Sequence, residues 1–238
     1  MIPAYNEAAR LPAYLEEVAA YFCRRGEPFE VLVVNDGSRD ATAEVAREIG
    51  RSHPEIDVLS FGDNRGKGRA VRAGMRVARG ELRLMTDADG ATPIAEVPRL
   101  EAALRAGADV AIGSRARRDA SVVRKTRFHR RLAGHTFSLI VRGLGVGDIL
   151  DTQCGFKLFR AAVADDLFAD LGTDGFGFDV ELLMRARRRG YRVAEVPVNW
   201  TDQPGSKVTV LRDSPAMLRD VVLARWRLAV HPPSRRQP

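Results

Sequence analysis

Short apolar runs alternate along the chain with longer stretches in which apolar positions recur every three or four residues. The short runs predict buried strands at "EVLVVND" (30–36), "IDVLSFG" (56–62), "ELRLMTD" (81–87) and "ADVAIGS" (108–114). The longer stretches predict helices over 7–24, 38–50, 66–80 and 93–106. In the first of these, Leu11, Leu15, Val18 and Phe22 share one face. Ser38 or Asp40 is the expected cap of the second. Glycines open the third, and Pro93 suits the start of the fourth. Strands and helices alternating in this way predict an α/β fold with a mainly parallel sheet.

The second half is less regular. A basic stretch (115–131) leads into an apolar helix reaching about 144 and then a glycine-rich loop. Helices follow near 160–170 and 176–189, then a strand in "YRVAEVPVNW", a polar loop and an amphipathic helix from about 214 to 230. The tail "HPPSRRQP" (231–238) is expected to be disordered. No internal repeat or interdomain linker is visible. At the front, "IPAYNE" reads as the exit of a strand that only Met1 and Ile2 precede. The expectation is a first strand cut short, with the natural start upstream. A sheet that tolerates a stub is the alternative.

Composition narrows the class. A chain of 238 residues can bury one full core with at most a small second lobe. Its 45% hydrophobic and 29% charged content suits a folded protein rather than a disordered one. The net charge of +7, carried mostly by arginine, points to anionic partners: nucleotides, phospholipid headgroups or nucleic acid. Two cysteines, Cys23 and Cys154, argue against a disulfide scaffold or a Cys-rich zinc site and fit a reducing cytoplasm. The first residues lack the pattern of a secretory leader. No run reaches the ~20 apolar residues of a membrane span.

Acids recur at the expected strand ends: Asp36 in "NDGS", then Asp87 and Asp89 in "TDADG". In parallel α/β sheets ligands bind outside the carboxyl ends of the strands. Asp36 there can accept from a ribose hydroxyl or a base N–H, although an ordinary strand-to-helix turn explains "NDGS" equally well. In an extended segment Asp87 and Asp89 point to one side. Like charges so placed suit a hard divalent cation such as Mg²⁺ or Mn²⁺, with substrate phosphates completing its shell. A surface turn with two solvated acids is the competing explanation. "NRGKG" places two glycines and Lys67 at a helix entrance, where free N–H groups favour a phosphate, although read alone a glycine-opened surface helix explains it better. The spacing is not that of a P-loop.

Taken in order, "IPAYNE", "VVNDGS", "NRGKG", "TDADG" and "GSR" resemble the family 2 glycosyltransferases of the GT-A fold. "DTQCGFKLF" (151–159), "GFGFDVELL" (175–183) and "EVPVNWTDQPGSKV" (195–208) are similar to the dolichyl-phosphate β-glucosyltransferase branch, close to the dolichyl-phosphate mannose synthases. The resemblance covers about residues 2–210. It implies a Rossmann-like GT-A domain over 1–212, followed by an amphipathic helix (213–230) and a tail. It further implies inverting transfer of a hexose, foremost glucose from UDP-glucose, to a polyprenyl or dolichyl monophosphate.

The same resemblance assigns residues. Pro3, Tyr5 and Glu7 border the nucleobase, and Asp36 contacts base or ribose. Lys67 and Asp87 lie near ribose and phosphates. Asp89, assisted by Asp87, holds Mg²⁺ or Mn²⁺. The mannose synthases carry a Gln two residues after the D-x-D; here Ala91 stands in that place, which favours the glucosyl reading. Arg115, Gln153, Lys157 and Lys207 are the expected holders of the acceptor phosphate, each with an ordinary surface role as the alternative. Asp179 and Glu181 fall where related transferases keep a general base. Positions i and i+2 of a helix diverge, and Asp179 is favoured. Trp200 lines the sugar or lipid path, or packs in the core.

A lipid acceptor implies a membrane. The basic run 115–131 beside an apolar helix suits an anionic lipid surface, as does "AMLRDVVLARWRLAV" with Met217, Val221 and Trp226; a helix packed on the core with a solvated basic face is the alternative. Relatives often carry transmembrane helices. This chain is instead expected to dock peripherally on the cytoplasmic face or to use a membrane-protein partner. Three other readings stay open: a glycosyltransferase with a glycan or soluble acceptor, a nucleic-acid-binding module, and a non-catalytic scaffold. Against the nucleic-acid reading, the basic run has few stacking aromatics and no helix-turn-helix or zinc pattern.

Overall fold

The computed structural model describes residues 1–117, 119–125, 143, 146–203 and 210–230. The basic run beyond Lys125, the apolar helix expected to follow it, Lys207 and the tail 231–238 therefore lie outside the described residues.

Strands β1 (Ile2–Ala4), β2 (Val31–Asn35) and β3 (Ile56–Ser60) pair in parallel in the order β1-β2-β3. Strands β4 (Leu82–Thr86), β5 (Val110–Ser114), β7 (Phe156–Arg160) and β8 (Val193–Pro197) follow the order β4-β7-β5-β8. The Thr86 amide donates to the Met1 carbonyl at 3.1 Å, and the Met1 amine donates to the Leu84 carbonyl at 2.6 Å. These bonds set β1 beside β4 and join the two sets. A short parallel pair, β6 (Arg124–Lys125) with β9 (Trp200–Thr201), stands apart.

Helices cover both faces. On one side α1 (Leu11–Arg25), α2 (Thr42–Ser52) and α4 (Val97–Arg105) bury Leu15, Ala46 and Leu100 against Val33, Ala111 and Leu158. On the other, α3 (Lys67–Val77), α5 (Ala161–Ala169), α6 (Phe178–Arg188) and α7 (Val210–Val230) cover Met85, Val110, Ile112 and Phe159. The period of two is visible within one strand: Val110 and Ile112 face the second cluster, and Ala111 faces the first. Each fully buried Leu, Met or Phe in these layers contributes about 1.5–3 kcal/mol.

The strands expected from sequence lie where apolar runs placed them, but several helix starts differ. Helix α1 begins at Leu11 rather than residue 7. Residues before it form a turn in which Glu7 donates its amide to Thr42 Oγ1 and accepts from the Arg10 and Leu11 amides. Pro12 then sits in the first turn, where its missing N–H costs nothing. Neither expected residue caps α2: the cap position is Ala41, Asp40 accepts instead from the Thr42 amide, and Ser38 from the Asn6 amide. The segment 93–106 divides into a 3₁₀ turn (Ile94–Glu96) and α4.

Strand β7 was not anticipated. It runs antiparallel to both β4 and β5, in the middle of the sheet. Lys157 breaks its apolar run, yet that side chain is 0% exposed. On α7, Met217 and Val221 are buried rather than turned outward, and the exposed apolar residues are Val222, Leu223, Trp226 and Val230. No helix among the described residues is long and apolar enough to cross a membrane.

Candidate active site

The carboxyl ends of β2, β4 and β5 open on the same edge of the sheet as the first turns of α3 and α6. Strand β4 stops at Thr86, so Asp87 and Asp89 occupy a turn and not the extended segment expected. The Asp87 amide donates to the Gly155 carbonyl at 3.0 Å, tying the turn to the loop before β7. The approach is close: a Cβ on Gly155 would lie 2.0 Å from Asp87 Oδ2. The Ala91 amide donates to Asp89 Oδ1 at 3.1 Å, and the Ala91 carbonyl accepts from the Thr201 amide at 2.9 Å. The backbone of Ala91 thus steadies Asp89.

Cations meet these acids. Lys67 Nζ, at the first residue of α3, lies 2.6 Å from Asp87 Oδ1. Arg10 lies 3.7 Å from Asp89 Oδ2 and is shared with Glu7. Deeper in, Lys157 Nζ donates to Asp179 Oδ1 at 2.5 Å and to the Cys154 carbonyl at 2.6 Å. Burial works against the charge on Lys67, but Asp87 and then Asp179 outweigh it and hold its pKa above the ordinary value. Burial, and after it Asp87, raises the pKa of Asp89. Burial also raises that of Asp179, with Lys157 and Lys67 pulling against it. Three cations, Lys67, Lys157 and Arg10, face four acids, Asp87, Asp89, Asp179 and Glu7, so one more acid than base gathers in the site.

Asp36 is 3% exposed, and its carboxylate accepts from Asn64 Nδ2 and from the Arg65 and Gly66 amides, each at 2.9 Å. These N–H groups were expected to be free for a phosphate; Asp36 itself is the anion they bind. Gly66 (φ +101°) takes a left-handed backbone that other residues resist, bringing the loop against Asp174. Pro3 and Glu7 are buried and Tyr5 is half-buried in the neighbouring turn.

Arg115 and Asp151 form a two-pronged pair, Nε to Oδ2 at 2.7 Å and Nη2 to Oδ1 at 2.8 Å. The guanidinium also lies over the Trp200 ring, 5.5 Å from its centre. Gln153 Nε2 approaches Met217 Sδ of α7 at 4.0 Å. The two acids at the start of α6 do diverge. Asp179 meets Lys157, whereas Glu181 accepts from the Gly172 and Thr173 amides and from Arg185.

Sequence reasoning missed three supports. Asp151 orders Arg115. Glu195, on β8, accepts from Ser114 Oγ, the Leu150 and Asp151 amides and Arg117. Gly155 admits Asp87. The available signals were an acid inside an apolar strand, "VAEVP", and the acid and glycine of "DTQCGF".

A two-faced, mainly parallel sheet with acids and lysines gathered at its carboxyl edge is an α/β architecture with its candidate ligand site where such sheets bind ligands. The Glycosyl transferase family 2 model matches residues 1–168. Dolichyl-phosphate beta-glucosyltransferase of Drosophila melanogaster is 41% identical, over 96% of this chain and 76% of its own. The Homo sapiens protein of that name is 37% identical, over 95% and 74%. Among solved structures, glucosyl-3-phosphoglycerate synthase from Mycobacterium tuberculosis in complex with UDP matches with TM-score 0.70 at 20% identity, over 98% of this chain and 80% of that one. Mannosyl-3-phosphoglycerate synthase from Rubrobacter xylanophilus matches with TM-score 0.71 at 22% identity, over 100% and 76%. The chain belongs to glycosyl transferase family 2, with a GT-A fold, and is a glycosyltransferase.

Proposed function

We propose that the protein transfers glucose, with inversion, from UDP-glucose to a polyprenyl or dolichyl monophosphate at a membrane surface. The observation that carries this reading is the gathering of Lys67, Asp87, Asp89 and the Lys157–Asp179 pair at one sheet edge. It occurs in a chain whose relatives bear the name dolichyl-phosphate beta-glucosyltransferase.

The acids fit a hard cation. Asp87 and Asp89 keep part of their carboxylates accessible, at 36% and 25% exposure, and the site carries surplus negative charge. No group of three His, Cys, Asp or Glu converges among the described residues, so a Mg²⁺ or Mn²⁺ held by Asp89 and Asp87 would take further oxygens from phosphate and water. Bound there, such an ion offsets the charge that builds on a departing diphosphate.

The chain's own residues supply the rest. Pro3, Tyr5 and Glu7 border the base, and Asp36 shapes the loop that presents Lys67. Half-buried at the mouth of the site, Lys67 is placed to turn from Asp87 to the diphosphate. Arg115, held over Trp200 by Asp151, joins Gln153 and Lys207 in gripping the acceptor phosphate. A phosphate oxygen attacks the anomeric carbon as the bond to the diphosphate breaks on the opposite face. Asp179 receives the proton that a singly ionised monoester still carries.

The outer face of α7 supports a membrane setting. Val222, Leu223, Trp226 and Val230 are 50%, 40%, 61% and 50% exposed, and Arg219 and Arg225 flank them. Apolar residues with a Trp and arginines suit the interface of an anionic bilayer, and two free cysteines suit its cytoplasmic face.

The test is a transfer assay. UDP-glucose, several other UDP- and GDP-sugars, and a polyprenyl phosphate are presented in neutral or phosphatidylglycerol-containing vesicles, and the lipid product is read by mass. The expected product is a glucosyl phospholipid from UDP-glucose, formed faster on the anionic vesicles. Transfer only to a soluble acceptor would refute the reading.

A further inference from the structure

We propose that Lys157 is a positioning residue: its buried ammonium fixes the Asp179 carboxylate beside Lys67 and Asp87, and does not itself grip the acceptor phosphate. The inference rests on the proposed acceptor-side role of Asp179.

Location is the first reason. Lys157 sits on β7, in register with Met85 of β4 and Ile112 of β5, at the centre of the sheet. Its side chain shares the face of Met85 and Ile112, the one covered by α3 and α6, and is 0% exposed. An ammonium has three N–H donors. Two of them go to Asp179 Oδ1 at 2.5 Å and to the Cys154 carbonyl at 2.6 Å. The third is sealed from solvent with the rest of the side chain, so a phosphate could reach it only if the packing around Lys157 opened, drawing the ammonium away from a carboxylate that is itself 4% exposed.

Contrast with Lys67 is the second reason. Both lysines pair with aspartates of the same cluster, but Lys67 is 21% exposed and stands at the mouth. Lys67 can change partner; Lys157 cannot without unpacking the sheet. A mobile cation serves a ligand that arrives and leaves. A fixed one serves a carboxylate that must hold its place.

The third reason is what the pair would otherwise be for. A buried ion pair is a weak device for stability, since apolar residues of like volume often do as well or better. Asp179 already stands in the first turn of α6, where the helix N-terminus favours a negative charge. Yet Asp87 and Asp179 repel one another across the site. Lys157 keeps Asp179 from turning away, so that the carboxylate meets the acceptor in one orientation.

The experiment compares Lys157→Met, Lys157→Arg, Asp179→Asn and the double variant Lys157→Met/Asp179→Asn with the wild type. With UDP-glucose and polyprenyl phosphate, Lys157→Met should lower kcat about 100-fold while the acceptor KM stays within about twofold. Lys157→Arg should recover part of the loss. The double variant should be no slower than Asp179→Asn alone. An acceptor KM raised about tenfold at unchanged kcat would make Lys157 a phosphate contact and overturn the proposal. So would losses that multiply in the double variant. Melting provides an independent readout: the double variant should melt roughly 10 °C above Lys157→Met, which leaves a buried carboxylate unpaired. Additive melting shifts would deny the pair. A wild type that ignores polyprenyl phosphate would refute the acceptor reading alone, and the melting cycle then decides the pair by itself.

Discussion

Single residues in this site act through what they exclude as much as through what they bind. Gly155 is the sharpest case, because any side chain there would occupy the space of the Asp87 carboxylate. Gly155→Ala should therefore push Asp87 off Lys67. We expect turnover to fall at least about tenfold, since roughly an ångström of misplacement is costly in a preorganised site. The fold should survive, because Asp87 is half-exposed and can swing outward, so melting should move by only a few degrees. Steady-state kinetics beside a melting curve checks this; unchanged turnover would show that the Asp87 position is not critical. Lys157 shows why residue chemistry is only partly legible in sequence. A lysine just after the polar stretch "DTQCG" reads as an accessible cation. Its burial becomes visible only when Asp179, 22 positions away, is brought against it.

At the scale of elements, pattern served best where one face of a helix or both faces of a strand were buried. Val31–Asn35 and Val110–Ser114 lie within the apolar runs that announced them. Strand β7 was hidden by its paired lysine, and the D-x-D was placed on a strand although β4 ends just before it. Helix ends were displaced where tertiary partners, such as Thr42 for the Glu7 amide, overrode local caps. The loop before β7 depends on electrostatics between elements. Burial alone would raise the Asp151 pKa, but Arg115 overrides it and holds the carboxyl below the ordinary aspartate value. A depressed carboxyl pKa stabilises the fold above its unfolded value of about 4, and that contribution is lost as pH falls through the folded value. Asp151→Asn should lower the melting temperature by about 3–6 °C near neutral pH. The gap should begin to narrow below about pH 4 and close once pH falls past the depressed folded value, where the wild type also loses the charge. A gap that stays constant into acid would contradict the assignment.

For the whole molecule, the order of motifs carried more than any one of them. Alternating apolar runs gave the α/β class, and the succession from "IPAYNE" to "EVPVNW" gave the family to which the chain belongs. Composition indicated anionic partners without choosing among them. Three-dimensional placement adds a further constraint: four acids, Glu7, Asp87, Asp89 and Asp179, gather with three cations, Arg10, Lys67 and Lys157. That imbalance is the central physical feature: a site built this way should take up a nucleotide diphosphate well only together with a divalent cation. Calorimetric titration of UDP-glucose into the protein, with Mn²⁺ and then after chelation, measures it directly. Affinity should fall at least about tenfold without the ion, and Asp89→Ala should bind weakly in both conditions. Equal affinity with and without the cation, or none in either, would contradict the proposed role of the acids.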